Sequence, residues 1–245
     1  AGEAGCFPNV TKAVTTWLPQ PERVRAQGIM WMSARWGGAF TPMLVYAVLQ
    51  VVSWRRSFEL FGAIGVVWAV WFFLWFRDNP RDKPSMNSAE RELLKGTEKL
   101  AESHAHVPWG KFLRSRTVWL LCLQYGCLSY GWYFYISWLP TYLQEARGLA
   151  VGKSAVLAGL PLFLGGLGSL FGGFFSTYLA RRLGSVVKAR RRMAYTGFTG
   201  ATVLLLVSSY LKDPLLAMIA MGFASFSNDL VMPGSWGACM DVGGR

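Results

Sequence analysis

Residues 154–180 read SAVLAGLPLFLGGLGSLFGGFFSTYLA, 27 residues without one charged side chain. A helix needs about 20 apolar residues to cross a bilayer core, and an uncharged run of this length rarely occurs in a soluble domain. Within it Gly165, Ser169 and Gly173 are spaced by four, as are Gly168 and Gly172. That spacing lines helix faces with small residues, on which another helix backbone can approach closely. Working outward, comparable stretches occupy 29–52, 58–76, 117–143 and 193–211. A further one begins at Pro214, and the residues up to about Trp17 form the end of another. Seven apolar stretches specify an all-α, polytopic membrane protein.

Composition agrees. Hydrophobic residues make up 53% of the chain and charged residues 16%, against about 25% charged in soluble domains, so most of this chain is solvated by lipid. The formal charge of +12 invites a nucleic-acid reading, which its placement opposes. With the stretches alternating in direction, loops on one side hold 17 Lys/Arg and those on the other hold five. Such an imbalance is the positive-inside rule and makes the 17-residue side cytoplasmic. Cys6, Cys122, Cys127 and Cys239 fall in or beside apolar segments at unpatterned spacings, which signals neither a disulfide framework nor zinc. His104 and His106 lie in a polar loop with no Cys or carboxylate at ligand spacing. No metal and no cofactor is expected. The spans contain no Ser/His/Asp set and no HExxH motif, so an enzyme acting on lipid lacks its residues here.

Local signals set the boundaries. Pro19 and Pro21 stop the first segment, with Trp17 suited to the headgroup interface. Residues 77–116 form the only long hydrophilic stretch. In it Asn87 and Glu90 have capping-box spacing and are expected to open a short charged helix through Leu100. This loop separates 1–76 from 117–245. The chain begins Ala-Gly-Glu and stops at Arg245, just past a helix end, and both ends read as cut from a longer protein.

Polar groups at membrane depth are costly and mark function by default. Glu3 sits in the first stretch, Arg35 in the second, and Asn228 with Asp229 in the last. In 117–143, which carries no charge, Gly126, Tyr130, Tyr133 and Ser137 share one helical face. Tyr130 and Tyr133 either line a cavity or pack against a neighbouring helix, and Gln124 lies on another face. Asp229 is either a second titrating group or a structural ion-pair partner. Arg35 neutralises a carboxylate or holds a ligand. Lys12 is expected to snorkel to headgroups, the alternative being contact with a ligand.

The ordered set Gly2-Glu-Ala-Gly-Cys-Phe-Pro8, Trp17-Leu-Pro-Gln-Pro-Glu-Arg23, Trp54-Arg-Arg-Ser-Phe58 and Phe76-Arg-Asp-Asn-Pro80 resembles the anion:cation symporter family of the major facilitator superfamily. So do Trp138-Leu-Pro-Thr-Tyr142, Gly172-Gly-Phe-Phe-Ser-Thr-Tyr-Leu-Ala-Arg-Arg182, Asp229-Leu-Val-Met-Pro233 and Asp241-Val-Gly-Gly244. The resemblance runs through essentially the whole chain. It implies helices four to ten of a twelve-helix transporter built as two six-helix halves. On that reading 1–76 completes the first half, 77–116 is the cytoplasmic loop between halves, and 117–245 begins the second.

The resemblance also implies function. Members take up sugar acids and other carboxylates, so the partners expected are a small organic anion, a proton and the lipid bilayer. The protein is expected as a monomer, multi-pass in a bacterial inner membrane, with no nucleic acid bound. Glu3 matches the family's helix-four carboxylate, which takes part in proton coupling or substrate-linked gating, and is expected to couple protons, the alternative being a structural ion pair. Tyr130, Tyr133, Gln124, Asn228, Asp229 and Arg35 are the substrate-cavity candidates. Arg181 or Arg182 with Asp241, and Glu22 with Arg23 in the other half, are the cytoplasmic gate candidates. Thr177 stands where the superfamily often has an aspartate, which departs from the usual charge relay. A uniporter or exchanger, or a non-transporting sensor of a small carboxylate, is the alternative. The charge count sets a topology test. A reporter active only outside the cytoplasm is expected to be silent when fused after Leu100 and active after Leu149; the reverse pattern inverts the topology.

Overall fold

The computed structural model describes residues 5–83, 86–94 and 109–243, and all regular structure among them is helical. In chain order the helices are α1 (Cys6–Trp17), α2 (Gln20–Leu49), α3 (Trp54–Trp75), α4 (Ser88–Leu93), α5 (Trp109–Arg114), α6 (Arg116–Tyr133), α7 (Leu139–Glu145), α8 (Val151–Leu183), α9 (Val186–Tyr210), α10 (Pro214–Asp229) and α11 (Met232–Gly243). A 3₁₀ turn covers Pro80–Asp82 and a π turn covers Phe134–Trp138. Among the described residues three helical stretches are long and apolar enough to cross a membrane by length and composition: Trp54–Trp75, Val151–Leu183 and Pro214–Asp241. Seven were expected. Helices α2 and α9 begin well before their apolar stretches and carry Glu22, Arg23 and Arg25, or Lys188 and Arg190–Arg192, on their first turns.

The ends follow local chemistry. Leu18 and Pro19 are extended and separate α1 from α2, and Pro21 sits in the first turn of α2, where its missing N–H removes no helical bond. The capping box forms: Asn87 Oδ1 accepts from Glu90 N at 2.8 Å, and Asn87 N donates to Glu90 Oε2 at 3.1 Å. Its helix is described as Ser88–Leu93, and the expected end at Leu100 lies outside the described residues. Gly184, at φ 61, ends α8 in the left-handed conformation that glycine adopts without penalty. Ser185 then caps α9 and Asp213 caps α10.

Two prolines interrupt otherwise continuous helices. Pro140 cannot donate to Ile136, and the ladder absorbs this as the π turn between α6 and α7. Pro233 likewise leaves the Asp229 carbonyl without its helical donor. The chain breaks there, with Val231 N donating instead to Asn228 O at 3.2 Å.

The chain divides into two compact units. The first comprises Ala1–Gln20 and Met43–Ala105, the second Pro21–Pro42 and His106–Arg245. In the first, Trp17 packs on Phe76 at 6.1 Å, Phe72 stacks between Trp68 and Phe76, and Lys83 Nζ lies 4.1 Å over Trp75. Most of α3 is exposed, including Val67, Phe73 and Leu74. An unbroken apolar face of this kind is made for lipid or for neighbouring helices.

In the second unit α8 is the axis. A Cβ at Gly168 would strike the Phe226 carbonyl and one at Gly172 the Leu230 carbonyl, so these two press α8 against α10. A Cβ at Gly159 would come within 2.6 Å of Ala39 O, one at Gly166 within 2.6 Å of the Trp36 ring, and one at Gly173 within 3.1 Å of Gly28 Cα. Those three, two helical turns apart each time, receive the Pro21–Pro42 part of α2. Trp36 also stacks on Phe163 at 5.4 Å and donates Nε1 to the Phe163 carbonyl at 3.3 Å. The expected small-residue faces are therefore real contacts, divided between two partners. Leu139, Leu143, Ala158, Ala217 and Met218 form a core joining α7, α8 and α10. Arg147 bonds Tyr142 Oη and the carbonyls of Leu211 and Lys212, tying the loop after α7 to the end of α9.

Gly168→Leu is expected to destabilise the complete protein by about 1–3 kcal/mol through overpacking against backbone, read as a lower melting temperature in detergent. Gly37→Ala, where a Cβ meets nothing within 4 Å, is expected to leave it unchanged. Equal behaviour of the two would remove the tight α8–α10 contact.

Candidate functional site

Arg35 and Asp229, 194 positions apart, meet inside the second unit. Arg35 lies mid-way along α2 and Asp229 is the last residue of α10. Nη2 donates to Oδ1 at 2.8 Å, and Nε stands 2.6 Å from Oδ2 as a charge contact without hydrogen-bond alignment. Arg35 is 5% exposed and Asp229 0%. Two full charges so far from water are tolerated only because each compensates the other.

The surrounding residues hold the pair in place. The Trp132 ring of α6 lies under the guanidinium, 3.9 Å from its carbon, a geometry in which the ring's negative face attracts the cation. Asn228 Nδ2 donates to Asp229 Oδ1 at 3.2 Å. On α8 a Cβ at Gly165 would fall 2.6 Å from Asp229 Oδ2, and one at Gly166 would fall 3.3 Å from Arg35 Cβ. Those glycines are what let the two charged residues sit against the helix. The Pro233 break puts the C-terminal end of α10, with its partial negative charge, beside the cation.

Of the cavity candidates, Arg35, Asp229 and Asn228 come together. Gln124 does not join them: its Nε2 donates to Ser235 Oγ at 2.7 Å, near the ring contacts of Trp236 with Trp31 and Tyr125. Tyr130 and Tyr133 are exposed, at 84% and 65%. Glu3 lies outside the described residues. Among the gate candidates, Glu22, Arg181 and Arg182 are exposed. Asp241 takes its hydrogen bond from Arg190 Nη1 at 2.7 Å, rather than from Arg181 or Arg182. Partial burial lowers the Arg23 guanidinium from its ordinary value while the charge of Asp241 opposes the shift, so Arg23 and Asp241 share one electrostatic neighbourhood. Among the described residues no group of His, Cys, Asp and Glu could hold a metal ion.

Two participants escaped the reading of the residues. Trp132 is one of 12 tryptophans, and only the partner's position singles it out. Arg190 opens a run of three arginines, and α9's rotation turns that one inward while Arg191 and Arg192 stay exposed.

The model of the family described as Major Facilitator Superfamily matches residues 1–245. The chain is 32% identical over 248 residues to the probable sulfoacetate transporter of Cupriavidus necator, covering 100% of this chain and 57% of that protein. It is 27% identical to the chloroplastic ascorbate transporter of Arabidopsis thaliana, covering 100% of this chain and 45% of that one. The hexuronate transporter of Bacillus subtilis is also 27% identical, over 98% of this chain and 56% of its own length. The chain thus spans about half the length of the curated relatives it matches.

Removing one charge strands the other. Arg35→Gln alone is expected to destabilise the complete protein by about 3–5 kcal/mol, whereas Arg35→Gln with Asp229→Asn restores most of the loss. Size-exclusion profiles and thermal melts in detergent check this. A double variant no better than the single one would mean that the two side chains do not meet.

Proposed function

The chain belongs to the major facilitator superfamily, a superfamily of multi-pass membrane transporters, and on that premise we propose that it is part of a secondary active transporter that takes up organic anions with protons. The observation that carries the proposal is the Arg35 guanidinium, a fixed cation mid-way along α2 and out of reach of bulk water. Its charge is compensated here by Asp229, and the same planar fork would suit the carboxylate or sulfonate of an organic anion. The compounds named for the relatives, sulfoacetate, ascorbate and hexuronate, are all organic acids.

The two halves of such a transporter would rock about the cargo site, giving access from alternate sides. Glu3 is the proposed proton-coupling group: a carboxyl in a low-dielectric cavity favours the neutral form until a cation or the cargo reverses the preference. Tyr130 and Tyr133 are proposed to hydrogen-bond the cargo. Arg190 with Asp241, next to Arg23, would latch the cytoplasmic side. A monomer in a bacterial inner membrane is the proposed setting.

The test uses the complete protein in liposomes and follows labelled sulfoacetate, ascorbate and glucuronate with and without an inward proton gradient. Gradient-driven accumulation of one of them is expected. Equilibration indifferent to the gradient would make the protein a uniporter or exchanger. Binding without counterflow would make it a sensor. Glu3→Gln is expected to abolish accumulation while sparing exchange, and full accumulation by that variant would end the role given to Glu3.

A further inference from the structure

A buried ion pair cannot simply come apart. Separated at membrane depth, Arg35 and Asp229 would be two uncompensated charges, and leaving either alone is strongly unfavourable. Such a pair opens only if each member takes a new partner as it loses the old one. For a carboxylate that partner is a proton, and for a guanidinium it is another anion.

We propose that Arg35–Asp229 is a partner-exchange site: a proton taken up by the Asp229 carboxyl releases Arg35 to bind the carboxylate or sulfonate of the cargo. This rests on the organic-anion transporter reading and adds to it a second proton-binding residue and the cargo's anchor. Charge balances throughout. The closed pair is neutral, a protonated Asp229 is neutral, and Arg35 with the cargo's acidic group is neutral. One proton therefore accompanies each acidic group bound at Arg35.

The geometry suits the exchange. Asp229 occupies the Nε–Nη2 edge of Arg35, hydrogen-bonded through Nη2 and in charge contact at Nε, and the N–H groups of that edge can donate to a planar or tripod oxyanion in its place. Trp132 grips the guanidinium by its face at 3.9 Å, a contact that does not depend on Asp229, so the cation keeps its position when the carboxylate leaves. Asn228 is already bonded to Oδ1 and remains beside the neutral acid. Among the described residues, Arg35 is the charged group that acts on Asp229. Gly165 and Gly166 of α8 and Ser225 and Asn228 of α10 lie against the pair, and the titratable neighbours are Tyr125 of α6 and Tyr135 of the π turn. Phenols of ordinary acidity stay protonated where carboxylates titrate, which leaves Asp229 as the group that exchanges a proton.

Binding of labelled sulfoacetate, ascorbate and glucuronate to the complete protein in nanodiscs, measured from about pH 5 to pH 8, tests this. One linked proton tightens binding by up to about tenfold per pH unit on acidification. Asp229→Asn keeps the shape of the side chain but cannot exchange a proton. It is expected to bind the same anion with a pH slope reduced by the contribution of this site. An unchanged slope in Asp229→Asn overturns the exchange while leaving the transporter reading intact. The neutral pair Arg35→Gln with Asp229→Asn is expected to fold and to lose affinity by more than about tenfold. Wild-type affinity in that double variant overturns the role of Arg35 as anchor. Failure of the wild-type protein to bind any of the three anions would overturn both this inference and the organic-anion reading.

Discussion

Nothing in the second unit matters more than what α8 lacks. Along two of its sides the helix carries hydrogen atoms where other helices carry side chains, and the backbones of α2 and α10 close on it from those sides. In lipid no expulsion of water drives helices together, so close van der Waals contact between backbones has to supply much of the attraction. The same closeness sets the position of everything polar. Arg35 and Asp229 reach each other because Gly165 and Gly166 stand aside. The charged pair is thus a consequence of the packing, and a larger residue at either glycine would move it.

Much of this was readable from the chain, and the reasons differ by feature. The apolar stretches follow from the sequence alone, because a long uncharged run rarely occurs in a water-solvated domain. Small residues spaced by four announced that α8 would be approached closely. They did not say by whom, since Gly165, Gly168 and Gly172 belong to one partner and Gly159, Gly166 and Gly173 to another. The capping box at Asn87 was legible because it is local, each atom a few residues from its partner.

Partnerships across long stretches of chain were not legible. Arg35 was marked as a charge needing compensation, and Asp229 as one of two possibilities, yet nothing in either neighbourhood names the other. The choice of Arg190 for Asp241 over Arg181 or Arg182 turns on helix rotation after Gly184. That rotation depends on a φ of 61 at a single residue. Charge type can be read in one dimension; charge pairing needs three.

The π turn at Phe134–Trp138 has a consequence for how residues are compared between relatives. Each helical residue advances the side-chain direction by about 100°, so an extra residue in one turn changes which side of the axis later residues face. Before the turn Tyr130 and Tyr133 are exposed; after it Leu139 and Leu143 are fully enclosed. Gly126, Tyr130, Tyr133 and Ser137 are all exposed, so the periodic face drawn through them runs into the turn, and the shift in direction applies to the residues beyond it. A relative whose helix runs straight here would present a different residue at each matching position beyond it. At 27–32% identity equivalence along this segment has to be judged by direction in space, and a conserved letter on the far side of the turn does not guarantee a conserved neighbour.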